Sequence, residues 1–323
     1  MSVRGVRAAF MVAIVLCMPR SAAGERYAVI VAGASGGAEF AKQYTEWTKT
    51  LSAVLIDRMK VRPGNLTILS DTDDERTRAD AANVRQTFDR IRRAMTVDDV
   101  LFVMLIGHGT FDGTDAKFNL VGADLEAAHW VELIEGLPGH VVLVNSTAAS
   151  FPFIERLAGE RRIIVTATDS AAQRFDTVFP QYFVAAFADE QTDIDKNGRI
   201  SIWEAFAAAT NGVRRHYQQR GQLATERALL DDNGDGIGRE AAAAGEDGSV
   251  ASRTYLDQAV PGAPPTDEVL LALLQKRASL EAEVEELRIR RSFMQLDEYQ
   301  KEFERLMIEL ARVSRDIRAR VKS

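Results

Sequence analysis

The chain has 323 residues, 46% of them apolar and 27% charged, with a formal net charge of −7 and a single cysteine. That length can bury a full core and leaves room for one large domain plus an appendage. The acidic balance argues against a nucleic-acid partner.

Residues 1–23 read as a secretory signal peptide. Arg4 and Arg7 precede an apolar run from Ala8 to Met18, and Ser21-Ala22-Ala23 places small residues at the cleavage positions. The run is about 11 residues, short of the roughly 20 that a membrane span needs. Leu16 is too large for lipoprotein cleavage before Cys17. The mature protein is therefore expected to be exported, periplasmic or secreted, at a net charge of about −10 after loss of Arg4, Arg7 and Arg20. Without Cys17 it has no disulfide and no thiolate chemistry, so its core, alone or with metal ions, must hold it together.

Tyr27 to Ala32 is a β-rich run followed by Gly33-Ala34-Ser35-Gly36-Gly37, and a helical pattern extends from Ala38 to Met59. The glycine spacing fits neither a dinucleotide fingerprint nor a phosphate-binding loop. Asn65 to Ser70 reads as a second strand, with an acidic turn, Asp71 to Asp74, at its carboxyl end. Ala81 to Ala94 is amphipathic, with Val84, Phe88 and Ile91 at helical spacing. Val100 to Ile106 is uniformly apolar and reads as a central parallel strand covered on both faces, ending in Gly107-His108-Gly109. Ligand crevices of open parallel sheets lie at this carboxyl edge, so His108 is a candidate site residue. Leu125 to Leu137 predicts a helix, and His140 to Asn145 and Arg162 to Thr168 predict two more buried strands. Alternating strands and helices imply an α/β fold with a parallel, doubly covered sheet. His108, the Asn145-Ser146-Thr147 turn and Thr166 to Ser170 then converge on one edge.

This order of strand, GHG, strand with a small polar turn, and strand ending in TATDS resembles the caspase-like fold of cysteine peptidases, most closely its bacterial legumain-like members. The resemblance spans roughly Tyr27 to Ala209, including RADAANVRQTFDRI before the GHG strand and SAAQRFDTVFPQYFVAAF after the last one. It implies a three-layer α/β/α core, with His108 in the place of the family's catalytic histidine and a cysteine at the end of the following strand. Matching Asn145 to the family's acidic position puts Thr147 at the nucleophile, whereas matching Ser150-Phe151 to its Ser-Gly puts Ala148 there. Neither register supplies a thiol. The expectation is a degenerate site, His108 with Thr147, without peptidase activity and holding a peptide or protein in its crevice. The alternative is a hydrolase in which His108 acts as general base toward Ser146, Thr147 or Ser150. That alternative needs an oriented base and an oxyanion site, and the sequence identifies no acidic residue to orient His108.

A helix is expected over Tyr182 to Ala188, and the twelve residues that follow it, from Asp193 to Glu204, match the EF-hand loop. Calcium takes six to eight oxygens, which Asp193, Asp195, Asn197, the Arg199 carbonyl, Ser201 and a bidentate Glu204 would provide, with Gly198 at the sharp bend. Magnesium fits less well, because it retains several waters. A second stretch, Asp231 to Gly238, repeats the first six positions but has Ala242 at the twelfth. A long helix, Ile202 to Gln219, lies between the two loops.

Residues 24–244 are thus expected to form the α/β domain, and 245–265, rich in glycine, proline and acid, a linker. Residues 266–323 are expected to form a helical hairpin or coiled coil. Its seams are Leu273, Leu280, Val284 and Leu287, then Leu296, Tyr299, Phe303, Leu306, Leu310, Val313 and Ile317. Such a hairpin either packs on its own domain or serves homo-oligomerisation or partner docking.

Overall fold

The computed structural model describes residues 24–243, 247–257, 268–291 and 294–321. The expected signal peptide lies outside the described residues. Strand β1 (Arg26–Ala32) leads into helix α1 (Ala38–Ala53), which widens into a π-helical turn, Val54–Arg58, before β2 (Leu66–Leu69). Helix α2 (Ala81–Ala94) is capped by the Asp80 carboxylate, which accepts from the Asn83 amide at 2.9 Å, and it precedes β3 (Val100–Ile106). A small antiparallel sheet of β4 (Gly109–Phe111), β5 (Ala116–Phe118) and β6 (Leu125–Glu126) follows. Helix α3 (Ala127–Ile134) then leads to β7 (His140–Asn145), and α4 (Pro152–Leu157) to β8 (Arg162–Thr166). Helices α5 (Phe179–Ala188) and α6 (Ile202–Gln219) flank the first acidic loop, and β9 (Leu229–Asp231) opens the second. Two long helices, α7 (Glu268–Arg290) and α8 (Leu296–Val321), close the chain.

The main sheet has the order β2-β1-β3-β7-β8-β9, parallel throughout except for β9, which runs antiparallel to β8. Its winding reverses between β1 and β3. Because parallel crossovers are right-handed, the connection β1-α1-β2 and the connections through α2, α3 and α4 fall on opposite faces. The two cores follow that division. Phe102, Met104 and Ile106 of β3 join Leu51 of α1, Phe183 and Phe187 of α5 and Phe206 of α6. Leu101, Val103 and Leu105 join Val84 and Phe88 of α2, Trp130 of α3 and Phe153 of α4. Strand β3 is buried on both faces, as its unbroken apolar run predicts.

The expected helix over Leu125 to Leu137 begins two residues late, because Leu125 and Glu126 pair with β5 and Glu126 caps α3. Helix α4 and strands β4, β5, β6 and β9 are too short for a periodic signal. Within the stretch expected as linker, Asp247 to Asp257 packs onto the core, with Ala251 and Leu256 buried. Helices α7 and α8 run antiparallel, bridged by Lys276–Glu309 at 3.4 Å and Arg305–Glu283 at 3.8 Å. Leu280, Val284, Leu306 and Ile317 continue the core on the α6 side, where Asn211 donates to Glu281 at 2.8 Å. Among the described residues no helix is long and apolar enough to cross a membrane.

Candidate metal centre and carboxyl-edge crevice

Asp193, Asp195 and Glu204 are buried and bring carboxylate oxygens within 4.8 Å of one another, an arrangement that could hold a metal ion. The local sequence explains how. Lys196 and Gly198 take left-handed φ values of 61° and 82°, so the chain curls back over its own carboxylates. The Gly198 amide donates to Asp193 Oδ2 at 2.9 Å, the Asn197 amide to Asp195 Oδ1 at 3.0 Å, and the Arg199 amide to Asn197 Oδ1 at 2.8 Å. Glu204 reaches back from the first turn of α6. It accepts from the Ile194 amide at 2.8 Å and from the Ser201 amide and hydroxyl at 2.9 Å, while the Ser201 hydroxyl accepts from the Glu204 amide at 3.2 Å.

With Asp195 2% and Glu204 1% exposed, burial raises both carboxyls well above the ordinary carboxylate range. The charge of Asp193 adds to the effect at Asp195, and that of Asp195 at Glu204. Three buried acids sharing so small a volume favour either protons or a cation between them. The donor set is oxygen only, which suits a hard cation. The Arg199 guanidinium is turned away, paired with Asp257 at 2.7 Å and lying 3.8 Å over the Tyr255 ring. Helix α5 stops at Ala188, and Glu190–Thr192 forms a 3-10 turn before the loop. The loop's strand-like contact is the bridge from Ser201 to Tyr255.

The second acidic loop copies the first through its seventh position. Gly236 donates to Asp231 Oδ2 at 2.6 Å, Asp235 to Asn233 Oδ1 at 2.8 Å, and Ile237 to Asp235 Oδ1 at 2.7 Å, with Gly234 and Gly236 at φ 82° and 76°. It then turns into a backbone pairing of Arg239 with Leu230. The Arg239 guanidinium lies 3.7 Å from Asp235 and 3.2 Å from Asp247.

His108 lies at the β1/β3 reversal of the main sheet, the topological switch point. Its Nδ1 is 3.0 Å from Asp176 Oδ1, and its Nε2 is 3.1 Å from the Ser35 carbonyl and 3.2 Å from the Tyr44 hydroxyl. Phe40 packs edge-on at 4.7 Å. Burial, with the charge of Asp176, pushes the Tyr44 phenol up, so it remains a proton donor. Asp176 is the acidic partner that sequence reasoning missed. It sits in a loop more than sixty positions from His108, and no local spacing links the two.

Thr147 is buried, its hydroxyl donating to Asn145 Oδ1 at 2.8 Å. The Ser146 hydroxyl donates to the Leu105 carbonyl at 2.6 Å, and Ser150 Oγ accepts from the Ala167 and Thr168 amides at 3.1 and 3.2 Å. The topology thus brings the predicted residues to one edge, but each hydroxyl bonds to its own surroundings. Gly109 packs against Thr147 so closely that a Cβ there would collide with its side chain.

No protein-family model matches the chain, and no curated protein matches it. Among solved structures it is similar to protein GSU0716 from Geobacter sulfurreducens, at 13% identity and a TM-score of 0.43, over 64% of this chain and 92% of that one.

Proposed function

We propose that this chain is an exported, calcium-binding relative of the legumain-like peptidases, without peptidase activity, that acts as a binding or scaffold module. In this reading the loop from Asp193 to Glu204 is an EF-hand calcium site. Asp193, Asp195, Asn197, the Arg199 carbonyl and Glu204 would ligate the ion, with Ser201 held at the ninth position by its cap on α6. The crevice beside His108 would hold a peptide or protein, and the α7–α8 hairpin would carry a docking surface or join copies of the chain.

The observation that carries the non-peptidase reading is the state of the hydroxyls at the carboxyl edge. Ser146, Thr147 and Ser150 are at most 1% exposed, and each is hydrogen-bonded within the edge itself. The ring nitrogens of His108 meet Asp176, Tyr44 and the Ser35 carbonyl instead. Supporting the calcium reading, the buried triad offers oxygens alone, in a loop whose amides already orient them.

One observation favours a second reading, an active hydrolase. Asp176 supplies His108 with the carboxylate that orients a general base. The two are separated by incubating the full chain, with calcium, against a mixed peptide and ester pool beside a His108→Ala control. Turnover lost in the control establishes the hydrolase; equal, background rates support the binding module.

A further inference from the structure

Asp176 meets His108 from the connection between β8 and α5, and the bonds in the upstream half of that connection are local. The Ala172 and Gln173 amides donate to Ser170, the Arg174 amide donates to the Gln173 side chain, and Phe175 is 67% exposed. These bonds turn the loop without tying Asp176 to the sheet.

The downstream half is tied from a distance. The Thr177 hydroxyl donates to the Ser146 carbonyl, beyond the end of β7, at 2.5 Å. The Val178 and Phe179 amides donate to the two oxygens of Glu226 at 2.8 and 3.1 Å, from 48 and 47 positions away. Val178 is the N-cap of α5 and has no side-chain acceptor of its own, and Pro180 in the first turn has no amide. One remote carboxylate therefore takes both amides that precede Pro180, where the helix dipole also favours negative charge.

Glu226 is fixed in its turn. It lies in the connection from α6 to β9, is 2% exposed, and accepts from the Tyr217 hydroxyl, on the last turn of α6, at 3.0 Å. A buried carboxylate with three donors cannot shift without leaving one of them unsatisfied. Its neighbour Arg227 lies 3.9 Å from Asp169, at the start of the same loop, in a pair exposed enough to add little.

We propose that Glu226 is the positioning residue of the carboxyl-edge crevice: by holding the first turn of α5 it sets Asp176 against Nδ1 of His108. Its action on His108 is indirect, through Val178, Phe179 and the two residues before them. The proposal rests on the reading of the His108 edge as the site, and it names what keeps that site in register.

The test is the imidazole 1H–15N spectrum of His108 in the full chain at neutral pH, its signals assigned by their loss in His108→Ala. Asp176→Asn gives the shift that follows when the partner's charge is removed. Glu226→Gln keeps the size of the side chain but leaves one oxygen for two amides. It should move the His108 signals in the same direction and by a comparable amount, in protein that melts cooperatively. In the Asp176→Asn background the same change should add no further shift, because its path to His108 runs through Asp176. Should Glu226→Gln fail to fold, Glu226→Asp, which keeps the charge and draws the carboxylate back by one methylene, takes its place with the same expectation. Three results would overturn the proposal: unmoved His108 signals in a folded Glu226 variant, a shift undiminished in the Asp176→Asn background, or failure of both variants to fold. The spectrum needs no ligand, so a crevice that takes no peptide would count against the binding reading alone.

Discussion

The two acidic loops share a backbone and part company at the twelfth position. Through seven residues they make matching hydrogen bonds and matching left-handed turns. In the first, a glutamate on the following helix swings back to close the ring, and the result is a buried cluster of three acids. In the second, no α-helix begins at the corresponding position among the described residues; Ala242 stands where the glutamate would be, and Arg239 places a guanidinium beside Asp235 and Asp247. The first loop concentrates its carboxylates with no cation among them, whereas the second sets one guanidinium, that of Arg239, beside two of its own. The lesson is that two loops with the same aspartate pattern gather a buried carboxylate cluster only where a following helix delivers the last carboxylate.

The largest effect should come from that carboxylate. Calcium at a hundredfold excess over its dissociation constant is expected to stabilise the protein by about 2.7 kcal/mol, a rise of several degrees in melting temperature. Glu204→Gln should remove this rise almost entirely, while the metal-free protein keeps its fold, since an amide still caps Ser201. Survival of the calcium shift in this variant would refute the site.

The pH response of the metal-free protein comes next. Asp195 and Glu204 are raised in the folded state, so between their unfolded values, about 4, and their folded ones the native state binds more protons than the unfolded state. Stability without calcium should therefore be highest below about pH 4 as far as these groups contribute, and should fall as the pH rises into the neutral range. Asp247, raised to about 6 by burial and the surrounding aspartates, adds the same sign. Calcium displaces the protons at the first loop, so its affinity should rise over that interval. Melting curves with and without calcium, at a series of pH values, measure both slopes.

Gly198→Ala and Gly236→Ala form a matched pair. Each forces a Cβ into a left-handed turn and should cost about 1–2 kcal/mol, with no contact closer than 3.6 Å to worsen it. Only the change in the first loop should also weaken calcium binding. Smallest of all, Asp235→Ala should leave the calcium stoichiometry at one ion per chain and the calcium-induced shift untouched, whereas Asp195→Ala should abolish both; equilibrium dialysis distinguishes them.

The crevice shows where local pattern stops. The uniformly apolar run from Val100 to Ile106, the glycines around His108 and the polar ends of β7 and β8 were legible because a parallel strand buried on both faces leaves little choice of residue. The acidic cluster of Asp193, Asp195 and Glu204 was legible too, because side-chain oxygens and a glycine bend recur at fixed spacing within twelve positions. Asp176 was not, since its pairing with His108 depends on how the connection from β8 to α5 crosses the sheet edge. Nor was the short sheet of β4 to β6, whose strands are too brief for alternation to register.

By itself, then, the sequence determined the α/β class, the doubly covered strand, the place of His108 at the end of that strand, the absence of any cysteine after Cys17 and the acidic pattern of the first loop. All of these follow from residue type and short-range spacing. Tertiary structure alone decided that β9 runs antiparallel at the sheet edge, that Asp247 to Asp257 packs on the core, that Asp176 faces His108 and that the hydroxyls beside it bond inward. Those outcomes depend on which distant segments meet, and burial and hydrogen-bond satisfaction settle that only once the whole chain has folded.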